Sequence, residues 1–166
     1  EVIGAVWYAE ELRAFITNGV ARSVYFHFAS DDSRRWEIDK QTKGYGFGML
    51  NMTPPHVEWY PYLTNYLFGN NLNGGDKIYN SSSSNPAAVS TLTWVSNNFY
   101  NVLLIGKTKD ATKVGINVRN ANIKNGLVSI FKIDENDRKL QVIEERFANS
   151  FTVFENGYFV ILLRFS

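Results

Sequence analysis

The chain has 166 residues, enough for one medium domain or two small ones. Its net charge of +1 gives no bulk electrostatic case for nucleic acid or an anionic membrane surface. The absence of cysteine excludes disulfides, thiolate metal sites and cysteine nucleophiles. With only two histidines a zinc site is not expected either, so no metal or cofactor is predicted.

Taken in chain order, "GAVWYAEELRAFITNG" reads as a helix over residues 4–19. Val6, Ala9, Leu12 (or Arg13) and Ile16 fall near helical spacing, and Trp7 and Phe15 widen the apolar stripe. Glu10 and Glu11, beside Arg13, read as its solvated face. Asn18-Gly19 is a stop signal, because glycine tolerates the left-handed conformation at a helix C-terminus. "VARSVYFHF" follows at once. It is apolar on nearly both faces, as expected of a buried parallel strand, so this region reads as a helix–turn–strand unit from an α/β fold.

Residues 30–53 then form a long connection carrying Asp31, Asp32, Arg34, Arg35 and Trp36 and ending in "GYGFGMLN". A connection of that length is uncommon unless it is functional. "PPHVEWYPYLTNYLFGN" reads as a second helix entered through Pro54 and Pro55, kinked or delayed by Pro61 and ended at Gly69.

After Gly74 the pattern changes. "DKIYNSSSS", "AAVSTLTWVS", "YNVLLIGKT", "KVGINVRN", "GLVSIFKID", "KLQVIEERF", "SFTVFENG" and "YFVILLRFS" alternate with turn signals. About seven or eight short strands at this spacing argue for an antiparallel β-sandwich. The predicted fold is therefore mainly β, with a β/α segment over residues 1–73 and a sandwich over 74–166. One αβ unit and one helix cannot bury both faces of a parallel sheet, so the first segment is expected to need partner strands encoded upstream. The chain opens at Glu1 without methionine, which reads as a processed or truncated start.

The order helix, "NGV", strand, aromatic loop, helix and sandwich resembles the C-terminal end of a clan A glycoside hydrolase. "AVWYAEELRAFITNGVARSVYFHF" is similar to the seventh helix and eighth strand of a (β/α)8 barrel. "GYGFGMLN" with the Pro-Pro helix is similar to the eighth loop and helix, and "NVLLIGKTKDATKVGINVRN" to a sandwich segment. Families 39 and 79, the latter including heparanase-like β-glucuronidases, are nearest, and the family 79 pattern is similar to Trp7, Gly19, His27 and Tyr45 to Leu50.

That resemblance implies retaining hydrolysis by two carboxylates about 5 Å apart. They would sit at the C-terminal face of a barrel. No Asn-Glu dipeptide is present to supply the acid/base. Glu1 stands only a few residues ahead of the helix, closer than the nucleophile should be. The chain is thus expected to lack the catalytic pair and to pack on a barrel portion of the same enzyme.

The substrate-side candidates are His27 at the strand end, Trp36 as a stacking surface, Asp31, and Tyr45 between glycines. The bland readings are a core histidine, a solvated charged loop and packing over the barrel end. The expected partner is an oligo- or polysaccharide, with no nucleic acid and no membrane. The other class of function is a stand-alone carbohydrate-binding or adhesion module with its aromatics on the sandwich. Sequons at Asn51-Met52-Thr53 and Asn80-Ser81-Ser82 point to an extracellular or cell-surface protein.

Overall fold

The computed structural model describes residues 2–20, 22–25, 29–30, 49–51, 58–117, 126–136, 139–146 and 151–166. Helix α1 runs Ile3–Thr17 and helix α2 Tyr60–Asn71. The strands are β1 (Ala29–Ser30), β2 (Leu50–Asn51), β3 (Lys77–Tyr79), β4 (Val89–Ser96), β5 (Phe99–Gly106), β6 (Thr112–Ile116), β7 (Leu127–Ile133), β8 (Gln141–Arg146), β9 (Phe151–Glu155) and β10 (Phe159–Phe165). The mainly-β class with a preceding β/α segment is what the chain adopts. The main sheet has six antiparallel strands in the order β3-β4-β5-β10-β7-β8, and β6 and β9 form a second, two-stranded antiparallel sheet.

Strand β10 explains why "YFVILLRFS" is apolar throughout. It sits in the middle of the main sheet, paired to β5 and β7. Its alternate residues enter two different cores. Val160 and Leu162 join the helices, together with Leu92, Trp94, Leu103, Ile105 and Ile133. Phe159, Ile161, Leu163 and Phe165 join Val153 and Phe151 of β9 and Ile116 of β6. The molecule is therefore layered as helices, large sheet, small sheet, with apolar residues needed on both faces of the middle layer. Arg164 is the charged exception in β10. Its guanidinium lies 4.9 Å from the ring centroids of both Phe99 and Phe131. Nη1 donates to Asn71 Oδ1 at 3.4 Å, so the cation sits at the C-terminal end of α2.

Local chemistry fixes the ends of the elements. The N–H groups of Gly19 and Val20 donate back to the carbonyls of Ile16 and Phe15, with Gly19 at φ +69°. That is the two-bond glycine stop expected from Asn18-Gly19. Asn97 and Asn98 both take positive φ, 50° and 68°, in the two-residue turn joining β4 to β5. Asparagine is among the few residues that tolerate this geometry, which matches the twist of a hairpin.

The helices lie on the main sheet. Val2, Ala5, Val6 and Ala9 of the α1 region and Tyr60, Leu63, Leu67 and Phe68 of α2 share one core with the sheet. The Trp94 indole, 1% exposed, stacks on Phe68 with ring centroids 6.3 Å apart and donates its N–H to the Asn71 carbonyl. Tyr60 donates its hydroxyl to the Asp134 carbonyl at 3.2 Å, tying the start of α2 to the end of β7.

Several expectations need correction. Residues 22–25 of the expected buried strand are not in a strand, and Val24 is 89% exposed; the described residues provide no partner strand for this stretch. Trp7 is 63% exposed, because the packed stripe of α1 runs through Ala5, Val6 and Ala9 on another face. Helix α2 begins at Tyr60 with Pro61 in its first turn, where a missing N–H costs nothing, so Pro61 delays the helix and does not kink it. It ends at Asn71, two residues beyond Gly69. Pro54, Pro55 and His56 lie outside the described residues.

Candidate functional site

All five residues singled out from the sequence, Glu1, His27, Asp31, Trp36 and Tyr45, lie outside the described residues. The structure does describe the frame around the 30s and 40s. Strands β1 and β2 pair in parallel, with Ala29 opposite Leu50 and Ser30 opposite Asn51. The chain that leaves after Ser30 therefore returns beside its point of departure. Met49 is buried, and its carbonyl accepts the Trp59 N–H at 2.8 Å. Leu50 also makes an antiparallel bridge to Glu58, so β2 is tied directly to the entry of α2.

On the other side of this frame, Tyr25 packs edge-on against Tyr8 of α1, with centroids 4.8 Å apart. The Tyr8 hydroxyl donates to Asn65 Oδ1 of α2 at 3.4 Å. Burial, followed by the nearby Glu11 carboxylate, pushes both phenols above their ordinary range, so both remain neutral donors at neutral pH. Tyr25 thus packs against α1, through a tyrosine that is itself bonded to α2.

Two charged clusters stand outside this frame. Glu10 is not simply solvated, as first expected. Arg13 grips it in a fork, with Nη2 at 2.7 Å and Nε at 3.0 Å. Ser90 of β4 donates to the same carboxylate at 3.1 Å, and Lys107, just after β5, lies 3.7 Å away. Burial opposes the Glu10 charge, but Arg13, Lys107 and Ser90 outweigh it and hold the carboxyl below the ordinary range. The Glu10–Arg13 spacing was legible locally. Its partners Ser90 and Lys107 were not, since they lie eighty or more residues further along. Glu144 and Glu145 of β8 are exposed.

The second cluster joins the two sheets. Lys132 of β7 lies 2.9 Å from Asp134 and 3.3 Å from Glu155 of β9. Burial raises the Glu155 carboxyl above its ordinary range against the pull of Lys132, and the neighbouring Asp134 adds to the rise. Burial acts on Asp134 in the same sense, but the bonds from Lys132 and the Asn136 N–H outweigh it and bring that carboxyl below its range.

Two carboxylates displaced in opposite directions are the signature of an acid/base pair. Here one ammonium bridges both, and the Asp134 side chain is only 1% exposed. The adjoining cleft between Ile130, Ile143, Phe151 and Val153 is about 150 Å³, half the roughly 300 Å³ at the lower end of ligand sites. Lys132 and Glu155 line the cleft, and the triad is a partly buried ion-pair cluster that ties the two sheets together. Sequence reading missed it because β7 and β9 meet only in three dimensions.

The fold so defined is a mainly-β chain with two helices over a six-stranded antiparallel sheet and a small sheet beneath it. It is the fold of part of glycoside hydrolase family 30 structures. The catalytic domain of the GH30 xylanase C from Talaromyces cellulolyticus matches 98% of this chain at TM-score 0.73 and 9% identity. A GH30 endoxylanase from Clostridium papyrosolvens matches 100% at 0.71 and 10% identity. A family 30 subfamily 8 xylanase from Clostridium acetobutylicum matches 98% at 0.65 and 17% identity. The chain spans 35%, 39% and 38% of their respective lengths. No family model and no curated protein sequence matches it. Among the described residues, no helix is long and apolar enough to cross a membrane.

Proposed function

We propose that this chain is the C-terminal part of a retaining glycoside hydrolase, made of the end of its barrel (residues 1–73) and a structural β-sandwich (74–166). The catalytic carboxylate pair belongs to a portion of the enzyme outside this chain, and Glu1 is not the nucleophile. The observation that carries the reading is the superposition of essentially the whole chain on little more than a third of family 30 enzymes. The short parallel pair of β1 and β2 supports it, since parallel strands are the barrel's pairing mode. So do Trp7, Val20 and Val24, large apolar side chains exposed on α1 and just after it, which suit burial against further barrel elements.

On this reading His27, Asp31, Trp36 and Tyr45 face the saccharide from the C-terminal end of the last barrel strand. Trp36 and Tyr45 stack on sugar rings, and His27 donates a hydrogen bond to a hydroxyl or a catalytic carboxylate. The enzyme acts outside the cell on an oligo- or polysaccharide. Structural likeness supports family 30, whereas family 79 rests on the sequence pattern around Trp7, Gly19, His27 and Tyr45 to Leu50. The stand-alone binding module is the weaker reading, because the exposed aromatics among the described residues, Trp7, Tyr66, Tyr79 and Phe154, lie on four different elements.

Hydrolysis of aryl-glycosides and β-linked polysaccharides tests the proposal. The full-length encoded polypeptide is expected to hydrolyse one of them with retention at the anomeric carbon, and residues 1–166 alone none. Turnover by the isolated chain, or a reading frame that begins at Glu1, would overturn it.

A further inference from the structure

The segment after β3 plays no part in the site described above. Among the described residues, strand β3 is one edge of the main sheet and pairs only with β4, and Lys77, Ile78 and Tyr79 are all exposed. Asn80 follows it immediately. Asn80, Ser81 and Ser82 are exposed and belong to no helix or strand. Among the described residues, the loop's hydrogen bonds begin downstream of this triplet. The Asn85 N–H donates to Ser83 Oγ at 3.1 Å, and the Ala88 and Val89 N–H groups return to the Asn85 carbonyl.

Asn80-Ser81-Ser82 is therefore an acceptor triplet, with no proline in the middle, presented on accessible chain. The other triplet begins at Asn51, inside β2, with its backbone opposite Ser30 in the parallel pair. Sheet pairing ties down the backbone that a transferase must reach.

We propose that Asn80 is an N-glycosylation site whose glycan shields the open edge of β3. The inference rests on the reading of an extracellular enzyme. In the transfer, Asn80 Nδ2 forms a bond to the anomeric carbon of a polyprenyl-pyrophosphate-linked oligosaccharide. The carbon–oxygen bond to phosphate breaks, the lipid pyrophosphate leaves with the electron pair, and the amide gives up one proton. The Ser82 hydroxyl is the element by which the triplet is recognised. An edge without a second partner among the described residues, bearing exposed Ile78 and Tyr79, is a template for pairing with another chain. A hydrated glycan one residue past its end blocks that approach sterically.

The test is secretion of the full-length encoded polypeptide from a eukaryotic host behind a cleavable signal. Glycan removal by peptide N-glycosidase in heavy-oxygen water and peptide mass analysis then follow. The heavy aspartate mark is expected at position 80, lost in Ser82→Ala, and kept in Ser82→Thr and Asn51→Gln. An unmarked Asn80 in secreted wild-type protein overturns the proposal, as does a mark confined to Asn51. Glycosylation at Asn80 in a protein without glycosidase activity upholds this inference and refutes the functional reading. Light scattering at high concentration should rise once the glycan is removed, and unchanged scattering would refute the shielding role.

Discussion

Trp94→Ala tests whether the helices are the outer wall of the main sheet. Trp94 is 1% exposed, stacks on Phe68 and donates to the Asn71 carbonyl at the end of α2. Truncating a buried tryptophan costs about 3–5 kcal/mol. Leaving the Asn71 carbonyl without its donor adds about 1–3 kcal/mol. Because the emptied site can admit water to that carbonyl, the two costs overlap, and a combined loss of about 4–6 kcal/mol is expected. At about 2–4 °C per kcal/mol for a chain of this size, the midpoint should fall by roughly 10–20 °C. Trp94→Phe keeps a ring for the stack but loses the N–H and part of the buried volume, so a loss above the about 1–3 kcal/mol of the unpaired carbonyl and below that of Trp94→Ala should appear. Urea unfolding of residues 1–166 followed by far-ultraviolet circular dichroism reads both variants, with the scan repeated by calorimetry. A loss below about 1 kcal/mol for Trp94→Ala would mean that α2 does not close the sheet, and the layered core would be wrong.

A Cβ at Gly106 would run into the Phe159 ring that lies over it, so Gly106→Ala should cost about 1–3 kcal/mol by overpacking, read in the same urea assay. Glu10 and Glu155 should show opposite pH dependence. The Glu10 carboxyl is depressed, so the stability it contributes is complete above the ordinary glutamate range and lost as pH falls through its folded value; the gap between wild type and Glu10→Gln should shrink towards acid. The Glu155 carboxyl is raised, so stability is gained as pH falls through its folded value; Glu155→Gln, which mimics the protonated form, should be the more stable protein at neutral pH, and wild type should close on it towards acid. Trp7→Ser should change the isolated chain by less than about 0.5 kcal/mol, as an exposed site does, and clearly lower the melting temperature of the full-length enzyme if α1 packs on further barrel elements. In that enzyme Trp36→Ala should raise KM about 2- to 10-fold, the worth of one aromatic stacking contact, with Trp36→Phe retaining most of the affinity.

The sequence by itself determined the mainly-β class, the place of each sandwich strand and several of their ends. These signals are local. Alternation marks "SFTVFENG" as β9, Asn97-Asn98 supplies a turn that few other residues tolerate, and Gly19 closes α1. The unbroken apolar run of β10 announced burial on both faces, but not what would lie on each. Only the tertiary structure decided that one face carries α1 and α2 and the other β6 and β9, because a strand's periodicity records how much of it is covered and not by which element. The same limit explains Trp7, whose hydrophobicity fits the α1 stripe in one dimension while the packed face runs through smaller residues beside it. It explains Glu10 and the Lys132–Asp134–Glu155 triad as well, where charges far apart in the chain become partners once the sheets and helices close on one another. The candidate site residues were legible only as residue types at a strand end. Of their surroundings, the structure decided the paired base formed by β1 and β2 and the Tyr8–Tyr25 contact, both of which depend on segments meeting in space.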